Sequence, residues 1–244
     1  MLVENLETVL AVGLQPEIYF SGFVLDRLSW AEVERTSQAL RERGRPTTFH
    51  APFMDLNPGA VDERIREVTV LRFRQILKLA SYFQPQNIVL HPGYDRWRFD
   101  GDADLWLKNS LLTWPPLLEE AAALPVRLAL ENVFDDRPDP LRRLLDEVNS
   151  PFLGYCLDAG HANLFSRVPL AEWVEALGPR LLEIHVHDNR GEADEHLPLG
   201  QGNIDFAGLF SLLAEKKIRP VYTLEPQEIA HLLPSLEAVK KYLG

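Results

Sequence analysis

The chain is short of cysteine, of long apolar runs and of positive charge. Its single thiol, Cys156, excludes an intramolecular disulfide and a structural zinc site built on several thiolates. No segment reaches the roughly 20 uninterrupted apolar residues that a bilayer requires, so a membrane-spanning helix is excluded. Lysine and arginine number 25 against 36 acidic residues, a formal charge of −11, which disfavours attraction of the whole molecule to phosphate backbones or anionic lipid. Nucleic acid is therefore not the expected partner, although a bound metal or a local basic patch would reverse this locally. No Gly/Ser linker, low-complexity tract or long charge block marks a boundary, and residues 1–244 are expected to form one domain. The first residues also lack a basic-then-apolar signal pattern, which makes the cytoplasm the expected location.

What is present is enough hydrophobic sequence, 46% of 244 residues, for a sizeable core. Seven β-rich runs recur at 17–20, 47–50, 87–91, 126–131, 154–158, 182–185 and 221–225. Helix-length patterns lie between and after them, at 30–43, 60–83, 103–123, 139–148, 169–178, 205–216 and 228–242. Strand-then-helix repetition over this length predicts an α/β fold, a (β/α)8 TIM barrel of parallel strands with crossover helices. The first strand of eight is expected to be degraded or missing, because Leu2, Val3, Leu6, Val9 and Leu10 follow a helical spacing. An open seam would need cover from the N-terminal segment or another subunit, so a homo-oligomer is expected.

All strand candidates but the first end in a residue able to bind metal or move a proton: His50, His91, Glu131, Asp158, His185 and Glu225. One such histidine would more often be a hydrogen-bonded structural residue. Six at successive strand ends converge on one barrel face and point to a metal centre, since clustered buried carboxylates repel unless a cation offsets them. Two loops add His161, from Asp158-Ala-Gly-His161, and the pair Asp194 and His196. Period two puts His187 on the same strand face as His185, where it is read as orienting a ligand group or meeting substrate. Gly200 and Gly202, before a helix start, are expected to offer backbone N–H groups to a phosphate or sugar oxygen. Arg190 and Trp97, with Tyr94 and Phe53, follow strand ends and are read as contacts for a sugar ring. Cys156 is expected only to pack.

Together the motifs His50-Ala-Pro, His91-Pro-Gly, Leu130-Glu131-Asn, Asp158-x-Gly-His161, His185-x-His-Asp-Asn, Asp194-x-His196, Gly200-x-Gly-x-Ile-Asp and Leu224-Glu225-Pro resemble the xylose isomerase-like TIM-barrel superfamily. That superfamily joins sugar isomerases and epimerases to the endonuclease IV type of apurinic-site nuclease. The epimerase branch implies one divalent metal on Glu131, Asp158, His185 and Glu225, with Glu131 and Glu225 exchanging a substrate proton. The nuclease branch implies three zinc ions: one on His50, His91 and Glu131, one on Glu131, Asp158, His185 and Glu225, and one on His161, Asp194 and His196.

Oxygen and nitrogen ligands without thiolate suit Mn, Zn, Co, Fe or Mg. A rim with many Asp and Glu against Arg96, Arg98, Arg137 and Arg190 suits a small carbohydrate better than a DNA duplex. The expected activity is therefore metal-dependent isomerisation or epimerisation of a small sugar, sugar phosphate or polyol. The alternatives are an endonuclease IV-like zinc phosphodiesterase and a non-catalytic barrel that binds metal or ligand.

Overall fold

A computed structural model describes residues 2–124 and 126–243. Seven strands lie in sheet order: β1 (Glu17–Tyr19), β2 (Thr48–His50), β3 (Asn87–Leu90), β4 (Arg127–Glu131), β5 (Leu153–Asp158), β6 (Leu181–Val186) and β7 (Val221–Leu224). Each matches its sequence-based range to within one residue at either end. The helices are α1 (Leu2–Val12), α2 (Gly22–Leu25), α3 (Trp30–Glu42), α4 (Glu63–Phe83), α5 (Ala103–Ala122), α6 (Asp139–Val148), α7 (Ala159–Phe165), α8 (Leu170–Leu177), α9 (Phe206–Glu215) and α10 (Ile229–Leu243). The segment where the first strand was expected to be degraded or missing is helix α1, in keeping with its helical spacing, and it buries Leu6 and Leu10 one turn apart. Among the described residues no helix is long and apolar enough to cross a membrane.

The residues cluster into two compact units. The first comprises 1–93, 104–129 and 148–153. Here β1, β2 and β3 pair in parallel, with His50 opposite Tyr19 on one side and Val89 on the other. Strands β2 and β3 are buried along their whole length, as strands covered on both faces should be. Phe49 meets the edges of Phe20 and Phe83 at 4.9 and 5.3 Å between ring centres, and Phe73 stacks on Trp114. The Trp106 indole N–H donates to the Pro92 carbonyl at 2.9 Å, which satisfies the polar edge of a wholly buried ring.

The second unit comprises 94–103, 130–147 and 154–244. Strands β5, β6 and β7 pair in parallel here. The β5–β6 register slips by one residue: Tyr155 faces Leu181, but Cys156 faces Glu183 and Asp158 faces His185. Tyr155 stacks parallel to Trp173 beneath the strands, and α6 buries Leu141, Leu144 and Leu145 on one stripe.

Candidate metal centre

Asp158 ends β5 and caps α7, a helix whose first turn brings His161 back over the carboxylate. The His161 N–H donates to Asp158 Oδ1 at 2.7 Å. Asn132, one residue past β4, fixes the same corner. Its Nδ2 donates to the Asp158 carbonyl at 2.9 Å, while its Oδ1 accepts from the Asp158 N–H at 2.9 Å and the Tyr155 hydroxyl at 2.7 Å. Gly160 leaves room for the next layer, since a Cβ there would lie 2.0 Å from His187 Cε1.

Four donors from β4, β5, β6 and the end of β7 meet at one point. Around His185 Nδ1 lie Glu225 Oε1 at 3.2 Å, Glu131 Oε1 at 3.6 Å and Asp158 Oδ2 at 3.8 Å. Glu131, Asp158 and His185 are buried, and each offers a ligand atom within 4.8 Å of the others. A second trio adjoins. Asp194 Oδ2 lies 3.1 Å from His196 Nε2 and 3.6 Å from His161 Nε2. His187 bridges the two, its Nε2 3.2 Å from Asp158 Oδ1 and its ring stacked on His196 at 3.8 Å and 5°. Its Nδ1 is buried and has no hydrogen-bond partner among the described residues.

The charges explain why these side chains tolerate one another. Burial works against a charge on His161, but Asp158, Asp194 and Glu131 outweigh it and push the imidazole up to about 12. Burial likewise opposes ionisation of Asp194, yet His161 and His196 hold its carboxyl well below the usual range. Asp158 is also held low, against its burial, by His161 and His187. Protons on imidazoles thus supply positive charge among four carboxylates. A divalent cation with ligand bonds of about 2.0–2.2 Å would supply it instead, and donor separations of 3.1–3.8 Å suit one ion shared by several ligands. The residues fit a metal.

His50 and His91 are brought together in the first unit, with ring centres 5.2 Å apart and Phe53 stacked on His91 at 4.4 Å. Other expectations change. Gly200 and Gly202 do not hold their N–H groups open for a substrate oxygen: both donate to Asp188 Oδ2, at 2.8 and 2.9 Å. Asp188 is the organiser that sequence reading missed. Its Oδ1 also accepts from Asn189 and Ile204, and its backbone closes the 189–196 loop by a two-way bridge with Leu197. Arg190 is tied to Glu195 on that loop. Tyr94 is buried against Phe99, so it has no face for a sugar, whereas Trp97 is 62% exposed with the Arg96 guanidinium 4.3 Å from its ring centre. Cys156 is fully buried, and burial pushes its thiol well up against the opposing effect of a hydrogen bond with His185.

Residues 16–242 match the family described as xylose isomerase-like TIM barrel, and the chain belongs to that family. Its fold is accordingly the α/β TIM barrel. A solved D-tagatose 3-epimerase-like protein is 30% identical, with a TM-score of 0.83 over 94% of this chain and 88% of that one. A second solved structure, a Thermus thermophilus protein whose crystals were soaked with ZnCl2, is 27% identical, with a TM-score of 0.77 over 98% and 92%. In sequence, Uncharacterized protein MJ1311 of Methanocaldococcus jannaschii is 34% identical over 80% of this chain and 69% of its own length. A probable endonuclease 4 of Mycobacterium leprae is 27% identical over 72% and 73%.

Proposed function

We propose that the chain is a divalent-metal-dependent isomerase or epimerase of a small carbohydrate. The observation that carries this is the meeting of Glu131, Asp158 and Glu225 oxygens within 3.8 Å of His185 Nδ1. In this reading those four residues hold the ion, and Glu131 and Glu225 are the catalytic carboxylates. When bound, the metal polarises a substrate carbonyl or hydroxyl and so acidifies the adjacent C–H. One glutamate takes that proton and the other returns one to the substrate carbon, a division of labour that two carboxylates beside one reacting atom allow. His187 positions Asp158 through Nε2, and Asn132 positions it through the main chain. Likeness to the D-tagatose 3-epimerase-like protein supports the substrate class.

The test is solvent deuterium incorporation into a panel of ketoses and aldoses, by protein loaded separately with Mn, Co, Zn, Fe or Mg. Exchange that is lost in both Glu131→Gln and Glu225→Gln supports the reading, and no exchange with any metal overturns it.

A second reading, a zinc phosphodiesterase acting on abasic DNA, is favoured by the His161, Asp194 and His196 trio and by likeness to the mycobacterial probable endonuclease 4. Clustered ions there would hold both oxygens of a phosphoester. Robust nicking of an abasic duplex with zinc, abolished by Glu131→Gln, would establish it in place of the first.

A further inference from the structure

Beyond the metal centre, three arginines converge on one carboxylate. Arg96 Nη1 lies 3.3 Å and Arg167 Nε 3.5 Å from Asp136 Oδ2, and Arg137 Nε lies 4.0 Å from Asp136 Oδ1. The arrangement is built rather than draped. The Asp136 carbonyl accepts the Arg167 N–H at 2.8 Å, and Asp136 is only 15% exposed while Arg137 and Arg167 are 52% and 59% exposed. Arg96 Nε is buried with no hydrogen-bond partner among the described residues. Among the ion pairs of the described residues, these three guanidiniums meet at one carboxylate, in a chain whose formal charge is −11. Like charges held this close are costly unless a further anion joins them.

The cluster is linked to the metal centre through Asp135. Arg96 lies beyond the end of β3, Asp136 and Arg137 beyond β4, and Arg167 beyond α7, so all follow the strand ends that carry the site. Asp136 is five residues past Glu131, a chain reach of at most about 18 Å. Asp135, buried between them in sequence, interacts electrostatically with both His161 and Asp136.

We propose that Arg96, Arg137 and Arg167 form a subsite for a phosphoryl group, so that the carbohydrate handled at Glu131 and Glu225 is a phosphorylated one. This rests on the reading above for its second half only. Guanidinium forks match tetrahedral oxyanions, and Asp136 holds them apart and pre-aimed until the ligand arrives.

The test uses the full chain after chelator treatment, so that no metal binds the probe. Inorganic phosphate, fructose 6-phosphate, fructose and an abasic-analogue duplex are titrated calorimetrically. Phosphate is expected to bind, at least tenfold more weakly in Arg137→Gln/Arg167→Gln and several-fold more tightly in Asp136→Asn, which removes the competing anion. A purely structural clamp would instead give an Asp136→Asn protein that is less stable and no better at binding phosphate, and that result overturns the subsite. Equal affinity for fructose and fructose 6-phosphate overturns the phosphorylated substrate. Duplex binding that the double variant loses, with fructose 6-phosphate binding unchanged, assigns the arginines to nucleic acid and also overturns the proposal. Should the double variant not fold, Arg137→Gln, altered at a half-exposed side chain, carries the comparison. Because binding is read without turnover, a protein that binds phosphate yet exchanges no deuterium refutes the reaction and not the subsite.

Discussion

Replacing Asp188 with alanine removes one acceptor from four backbone donors at once. Oδ1 serves Asn189 and Ile204 at 3.0 and 3.2 Å, and Oδ2 serves Gly200 and Gly202 at 2.8 and 2.9 Å. The first two bonds are buried, and a buried donor left unsatisfied costs about 1–3 kcal/mol. The second two are partly buried and can reach water, at a smaller cost. The total is roughly 3–5 kcal/mol, or a melting temperature lower by about 10 °C for a chain of this size. Asp188→Asn should fall between, since its amide keeps one acceptor and sets its NH2 against two N–H donors. The loop that Asp188 closes carries Asp194 and His196, so zinc affinity at their trio should also fall about 10–100-fold. Urea unfolding at constant slope and zinc calorimetry would measure both. A loss under about 1 kcal/mol with unchanged zinc stoichiometry would refute the organising role given to Asp188.

Other outcomes follow from the same geometry. Gly160→Ala should drive the His187 ring off Asp158, lowering metal affinity about tenfold, which competition with a chromogenic chelator would report. Glu131→Gln and Glu225→Gln should each cut deuterium exchange about 10²–10⁴-fold, measured by proton NMR of the sugar. Metal loading should release protons at pH 7, because His161 is held protonated up to about 12 in the metal-free protein; titration in two buffers of different ionisation enthalpy would count them. Burial pushes the Asp135 carboxyl up to about 7, so the native state holds its proton longer than the unfolded chain does. Stability should thus drop between about pH 4 and pH 7 by as much as about 4 kcal/mol, and Asp135→Asn should remove the part of that drop seen between urea titrations at pH 4.5 and pH 6.5, below the range in which His161 begins to contribute.

Strand positions were legible because covered parallel strands are unbroken β-rich runs, and polar residues ending six such runs in succession point to one shared site where a single one would not. Glu131, Asp158, His185 and Glu225 close four of those runs, and the structure brings them together. Helix α7 was not foreseen, although Asp158 stands three residues before the N–H it caps, a spacing that marks a helix start. Gly200 and Gly202 were misread for a different reason. Their partner, Asp188, is 12 and 14 residues away, and a carboxylate that gathers backbone donors across a loop leaves no periodic trace. Asn132 is a similar case: its neighbour Glu131 drew the chemical reading, while its own work is to anchor the main chain of another strand.

The slipped register between β5 and β6 makes the donor set sensitive to counting. Had the pairing of Tyr155 with Leu181 run on without interruption, Asp158 would face Ile184 in place of His185. The extra residue opposite that step is Leu182, and Gly154 makes room for its side chain, since a Cβ there would lie 2.5 Å from Leu182 Cγ. Deleting Leu182 would only remove the bulge and leave His185 opposite Asp158, whereas a side chain at Gly154 that ironed the bulge out with Leu182 kept would exchange an imidazole for a butyl group beside the carboxylate. In a lineage of such barrels, the set of side chains that meet at this point would then change through a single codon within a strand, with Asp158 and His185 both still encoded.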